Sequence, residues 1–229
     1  MLELLALCWR CDWFHWRYFF GSFDRIWAHK LAKYGLMAMV TAIVVPLSQM
    51  LIRERLMQEF GQAQAGMWQA VIKMSDVYLM LITTTLTVYY LPRLAEITDT
   101  SSLHKEIVKV YRFILPLTAL GAGMVYLLRD QLVVLLFTQE FYAVSDLLGW
   151  QLVGDVIKIG SWVLGFVMIG RAMTRAYIIT EVVFAASLVL ITMALSPHFG
   201  IQAAVIGFVI NYLLYWITTA LIVLKLRIE

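Results

Sequence analysis

The stretch WQLVGDVIKIGSWVLGF, Trp150 to Phe166, is apolar enough for the inside of a bilayer, yet it holds Asp155 and Lys158 three residues apart. Its surroundings decide the fold class. Of 229 residues, 62% are hydrophobic and only 14% charged, and the mean hydropathy is +0.81. A soluble domain averages about 45–50% apolar and about 25% charged residues, so this is the composition of an integral membrane protein. The net charge of +3 is small. The placement of Lys and Arg along the chain therefore says more than their sum.

A bilayer core takes about 20 consecutive apolar residues of helix. Six stretches qualify, at about 35–52, 74–92, 110–128, 146–170, 177–195 and 203–224. Val182 to Leu224 contains no Lys, Arg, Asp or Glu, and the Pro and Gly of SPHFG (Ser196 to Gly200) predict a turn within it. LVVLLFTQEF (Leu132 to Phe141) is too short to span and reads as a partly inserted or interfacial connector. Backbone polar groups in lipid must pair internally, which leaves helices or closed barrels. Barrels show alternating strands of about ten residues, and these long continuous runs do not. The expected fold is an all-α integral membrane protein with a six-helix bundle over 35–224, preceded by residues 1–34 and followed by a tail at 225–229.

Thirteen of the eighteen Lys and Arg fall on the side of the N-terminus, four on the opposite side, and Lys158 lies within a span. The positive-inside rule then places both ends in the cytoplasm. The longest opposite-side loop is expected at about 53–73. Residues 1–34 mix aromatic and basic residues in the manner of a headgroup-zone segment. No small-residue cleavage site follows the short apolar opening, so a signal peptide is not expected. CWRC (Cys8, Cys11) has redox or metal half-site spacing but no second Cys pair, and free thiols are expected.

Gln151, Asp155, Lys158 and Ser161 step by four, three and three, which makes one polar stripe on an apolar helix. A charge facing hydrocarbon costs at least about 2.5–3.5 kcal/mol on insertion scales. The stripe must face protein or water, either as a structural ion pair or as the wall of a solute pathway. A second stripe, Gln69, Lys73, Asp76, Thr83 and Thr87, continues to Tyr90, while Glu181 opens the fifth span and Asn211 lies in the sixth. Polar faces on several helices suggest a shared aqueous cavity, although Thr also bonds back to its own helix. WQAVIKMSD (Trp68 to Asp76) and WQLVGDVIK (Trp150 to Lys158) form the nearest thing to a repeat. Pro46, Pro116, Gly121 and Gly123 point to bent spans, and Ser161 with Gly165 to a close helix contact.

Four segments carry a resemblance: MWQAVIKMSDVYL (Met67 to Leu79), YYLPRLAEIT (Tyr89 to Thr98), LLRDQLVVLLFTQEF (Leu127 to Phe141) and DLLGWQLVGDVIKIGSWVLGF (Asp146 to Phe166). From about Lys33 onward the chain resembles the C-terminal half of Wzx-type flippases for lipid-linked oligosaccharides, which serve O-antigen and enterobacterial common antigen synthesis. These belong to the multidrug/oligosaccharidyl-lipid/polysaccharide exporter superfamily. The resemblance implies two six-helix lobes around a cavity open alternately to either side, of which this chain supplies one. It also implies movement of an undecaprenyl-pyrophosphate-linked sugar unit from the inner to the outer leaflet of the bacterial inner membrane.

On that footing Lys158, Lys73, Arg171 and Arg175 are the candidate phosphate contacts. Asp155, Asp76 and Glu181 are candidates to hold those cations in the empty state or to carry a coupling proton or sodium ion. Trp150 and Trp162 are candidates for stacking on sugar, with packing as the plainer role. A split or truncated transporter, completed by another six-helix chain or a second copy, fits one lobe, and a polysaccharide polymerase and chain-length regulator are possible neighbours. The alternatives are a non-transporting fragment or scaffold in a polysaccharide assembly complex and a membrane polymerase or glycosyltransferase. No nucleophile triad, phosphate-cradling Gly loop or paired-Cys metal site supports an enzyme, and no cofactor, metal or nucleic acid is expected.

Overall fold

The computed structural model describes residues 24–136 and 144–225. Among them there is no strand, and six helices are long and apolar enough to cross a membrane. Helix α1 is Arg25–Phe60, α2 is Gln62–Thr85, α3 is Leu91–Glu96 and α4 is Thr100–Leu127. Helix α5 is Arg129–Leu136, α6 is Val144–Gly170, α7 is Thr174–Phe199 and α8 is Gln202–Lys225. Cys8 and Cys11, most of the aromatic-basic segment and the end of the expected 132–141 connector lie outside the described residues.

Local chemistry sets the helix ends. Asp24 caps α1 by accepting from the Ile26 N–H at 2.8 Å, and Asp99 caps α4 by accepting from the Ser102 N–H at 2.7 Å. At 36 residues α1 is about 54 Å long at 1.5 Å per residue, more than a bilayer core of about 30 Å. The expected 53–73 loop is therefore helix instead. Helix α1 runs to Phe60, α2 starts at Gln62, and Gly61 alone makes the turn at φ 87°, where a side chain would be strained. At the other predicted turn, α7 continues through Ser196 and Pro197 to Phe199, and Gly200 at φ 56° reverses the chain.

Helices α2 and α3 form one rod through a π turn at Leu86–Tyr90, where the Leu91 N–H reaches back to the Leu86 carbonyl. The sequence supplies two causes. Thr83, Thr85 and Thr87 hydroxyls donate to the carbonyls of Met80, Leu81 and Thr83, bonds that bend helices. Pro92 then clashes with a carbonyl one α-turn back, and the wider turn relieves it.

Helix α6 is the hub. Within its most apolar window 61% of positions are buried, against 17–33% in the other five spans. It packs along α8 and α4, while α1 packs along α7 and α7 along α8. Glycine permits the α6–α8 approach: a Cβ on Gly160 would lie 2.7 Å from the Trp216 ring. The Trp216 indole N–H donates to the Tyr111 hydroxyl at 2.9 Å, and that hydroxyl donates to the Gly160 carbonyl at 2.7 Å. One polar chain thus ties α8, α4 and α6 together. Buried centrally, α6 is the span on which polar side chains are most readily kept from lipid.

Candidate functional site

Asp155 is fully buried, yet its carboxyl is satisfied. Tyr78 on α2 donates its hydroxyl to one oxygen at 2.9 Å, and Gln151, one turn earlier on α6, donates its amide to the other at 3.0 Å. This is a latch between α2 and α6. Among the described residues Asp155 makes no ion pair with Lys158 within 4 Å.

The Lys158 ammonium instead sits among aromatic rings. It lies 4.9 Å from the centroid of Trp162, 5.8 Å from Phe208 and 5.9 Å from Tyr212, all within cation–π range. Three ring faces lower the cost of a cation inside a membrane bundle without neutralising it. The acid and the base of the opening stretch therefore serve different ends: one fastens helices, the other projects a positive charge.

That charge faces a cavity of about 380 Å³ lined by α1, α2, α6, α7 and α8, within the usual range for small-molecule sites. Thr41, Ser48 and Gln49 line it from α1, Trp68, Ser75 and Asp76 from α2, Gln151, Lys158 and Trp162 from α6, Tyr177 and Glu181 from α7, and Asn211, Tyr212 and Tyr215 from α8. Among the described residues Glu181 has only long polar contacts, Thr41 at 3.4 Å and Tyr215 at 3.5 Å, and the Thr41 hydroxyl is also 2.9 Å from that of Tyr177. Ser187 donates to the Asn211 side-chain oxygen and joins α7 to α8 beside it.

The structure divides the sequence candidates. Lys158, Gln151, Asp76 and Glu181 line the cavity, and Asp155 lies in the wall behind it. Lys73 points outward with its side chain 80% exposed, 3.5 Å from Asp76. Exposed pairs of this kind contribute about 0–1 kcal/mol. Gln69, Thr83, Thr87, Arg171 and Arg175 are not among the lining residues, and the Thr83 and Thr87 hydroxyls bond to their own helix. Of the aromatic candidates Trp162 lines the cavity, while Trp150 is exposed on α6. The repeat-like segments diverge in the same way, with Trp68 buried where Trp150 is exposed.

Sequence reasoning missed Thr41 and Ser48 on α1, Tyr177 on α7, and Phe208, Tyr212 and Tyr215 on α8. A signal existed on α8, where Phe208, Asn211, Tyr212 and Tyr215 share one helical face around an amide in the middle of the span. Aromatic residues in membrane helices usually pack or sit at the interface, which hides such a cage from pattern alone.

No family model matches the chain, and no solved structure does. Two curated relatives match, both named lipid III flippase, from Escherichia coli (strain K12) and Shigella flexneri. Each is 36% identical over 195 residues, covering 85% of this chain and 47% of the relative. The chain thus spans about half the length of the curated relatives it matches. These relatives and the six apolar helices make it a multi-pass membrane protein.

Proposed function

We propose that this chain, a homologue of the lipid III flippases over 195 of its residues, acts as one lobe of a transporter. Its cargo is an undecaprenyl-pyrophosphate-linked oligosaccharide, moved from the inner to the outer leaflet of the bacterial inner membrane for O-antigen or common-antigen synthesis. The observation that carries the reading is Lys158: a cation facing a membrane cavity, supported by aromatic rings and in no ion pair among the described residues. A pyrophosphate-linked head is anionic and polar, while its polyprenyl tail is apolar. A polar chamber shelters the head while the tail stays in lipid.

In this scheme the Lys158 ammonium binds pyrophosphate oxygens as a point charge, and Trp162 with the α8 aromatics offers faces to sugar rings. Asp155 takes no direct part and holds α2 against α6. Glu181, reached only by long contacts from Thr41 and Tyr215, is the lining carboxyl best placed to exchange a coupling proton or sodium ion. Lys73 and Arg175 are too exposed to act as cavity contacts and serve at the membrane surface.

A second six-helix lobe, from another chain or from a second copy, completes the chamber. The N- and C-terminal sides face the cytoplasm, as the Lys and Arg distribution supports. The test is complementation of a flippase-deficient strain by the chain together with its missing lobe. Lys158→Ala abolishes complementation while membrane insertion and expression stay normal. Full complementation by that variant removes Lys158 from the mechanism.

A further inference from the structure

Helix α4 carries a second cationic feature, away from the cavity. Lys105, Lys109 and Arg112 step by four and three, so they stack on one face near the start of the helix, and all three are exposed. A shallow groove of about 540 Å³ follows this stretch from His104 to Phe113. Lys109 donates to the Tyr89 hydroxyl at 3.2 Å and stands 5.8 Å from the Tyr89 ring. The nearest acid is Glu106, whose carboxyl is 3.8 Å from the Lys109 ammonium and mostly buried. Among the described residues neither Lys105 nor Arg112 has an ion-pair partner.

The same face turns apolar further along. Phe113, Leu120, Met124 and Leu127 step by seven, four and three, and they are 64%, 71%, 64% and 79% exposed. From Arg112 to Leu127 the helix rises about 22 Å, more than one leaflet of hydrocarbon at about 15 Å, half of the bilayer core. The three cations cover about 10 Å of axis, which fits the headgroup zone. Charge at one end and bare hydrocarbon along the rest is the outline of a lipid. A loop that only fixes orientation needs positive charge but no common face.

We propose that this face of α4 binds an anionic glycerophospholipid of the surrounding membrane. Its phosphate is held by Lys105, Lys109 and Arg112 beside the Tyr89 hydroxyl, and an acyl chain lies along Phe113, Leu120 and Leu127. The site is separate from the cavity and does not depend on the transport reading. Each cation near an anionic headgroup changes partitioning by about fivefold, so removing all three lowers it about a hundredfold.

The full chain, purified into nanodiscs of mixed phosphatidylglycerol and phosphatidylcholine, is stripped stepwise with detergent, and retained lipids are counted by native mass spectrometry. The wild type keeps phosphatidylglycerol over phosphatidylcholine, a preference that fades with salt. Lys105→Gln and Arg112→Gln singly each reduce it several-fold, and the triple variant with Lys109→Gln abolishes it. Arg129→Gln, a cation just beyond the far end of α4 at the start of α5, leaves it unchanged. The single variants retain a readout if the triple variant does not insert. Equal retention of both lipids by the wild type, or unchanged preference in the single variants, overturns the proposal. So does displacement of the bound lipid by excess inorganic phosphate, because the acyl contacts would then hold nothing.

Discussion

Removing the Tyr78 hydroxyl tests the latch between α2 and α6. In Tyr78→Phe the ring stays and one donor to Asp155 goes; that donor sits 2.9 Å from an oxygen of a side chain with no solvent exposure. A hydrogen bond contributes about 0.5–1.5 kcal/mol to a neutral partner and about 1.5–3 kcal/mol to a charged one. The expected loss is therefore about 1–3 kcal/mol. Asp155→Ala goes further: it strands both the Tyr78 hydroxyl and the Gln151 amide, at about 1–3 kcal/mol for each unpaired group. In the double variant the Tyr78 donor no longer exists to be stranded, so the two losses do not add, and their coupling is about 1–3 kcal/mol. Stability of the four proteins, followed by denaturant or thermal unfolding in one detergent, gives that number directly. Additivity within about 0.5 kcal/mol, the usual result for independent sites, would refute the latch and leave Asp155 without its assigned role.

Three further outcomes follow from the packing and the caps. Gly160→Leu drives a side chain into the Trp216 ring and loses about 1–3 kcal/mol by overpacking; Trp216→Ala in the same chain recovers part of it, read by the same unfolding assay. Trp162→Ala removes the nearest ring from Lys158 at about 0.5–2 kcal/mol of cation–π support; on the proposed function it weakens complementation of the flippase-deficient strain without blocking insertion. The Ser102 N–H holds the Asp99 carboxyl below its ordinary range, so its contribution to the start of α4 is present above the unfolded carboxylate range and lost as pH falls through the lower folded value. Wild type and Asp99→Ala then differ in stability from pH 5 to 8 and converge in strong acid.

The fold was legible because lipid imposes it: six long apolar runs have few ways to satisfy their backbone. The ends were less so, since helices such as α1 continue past the core into water, where composition turns polar while the hydrogen bonding stays helical. The site was legible in part. The stripe on α6 lies on the most buried of the six spans, where Asp155 is fully buried and Lys158 half-buried, and the cost of exposing such groups to hydrocarbon is the reason to expect that. What spacing alone could not give was their division of labour, which depends on Tyr78 and on Phe208 and Tyr212 from distant helices. The α2 stripe marked one lining residue, Asp76, but joined it to Lys73, which points outward, and to Thr83 and Thr87, whose hydroxyls find partners within their own helix.

The wet, cation-bearing chamber is tested most directly by single cysteines at 76, 158 and 181, and at 155 as the buried comparison, in a chain with Cys8 and Cys11 replaced by Ser. A membrane-impermeant thiol reagent added to oriented vesicles should modify positions 76, 158 and 181 and spare 155. Protection of all four positions would mean that water does not reach Lys158, and a sealed cation cannot receive an anionic headgroup.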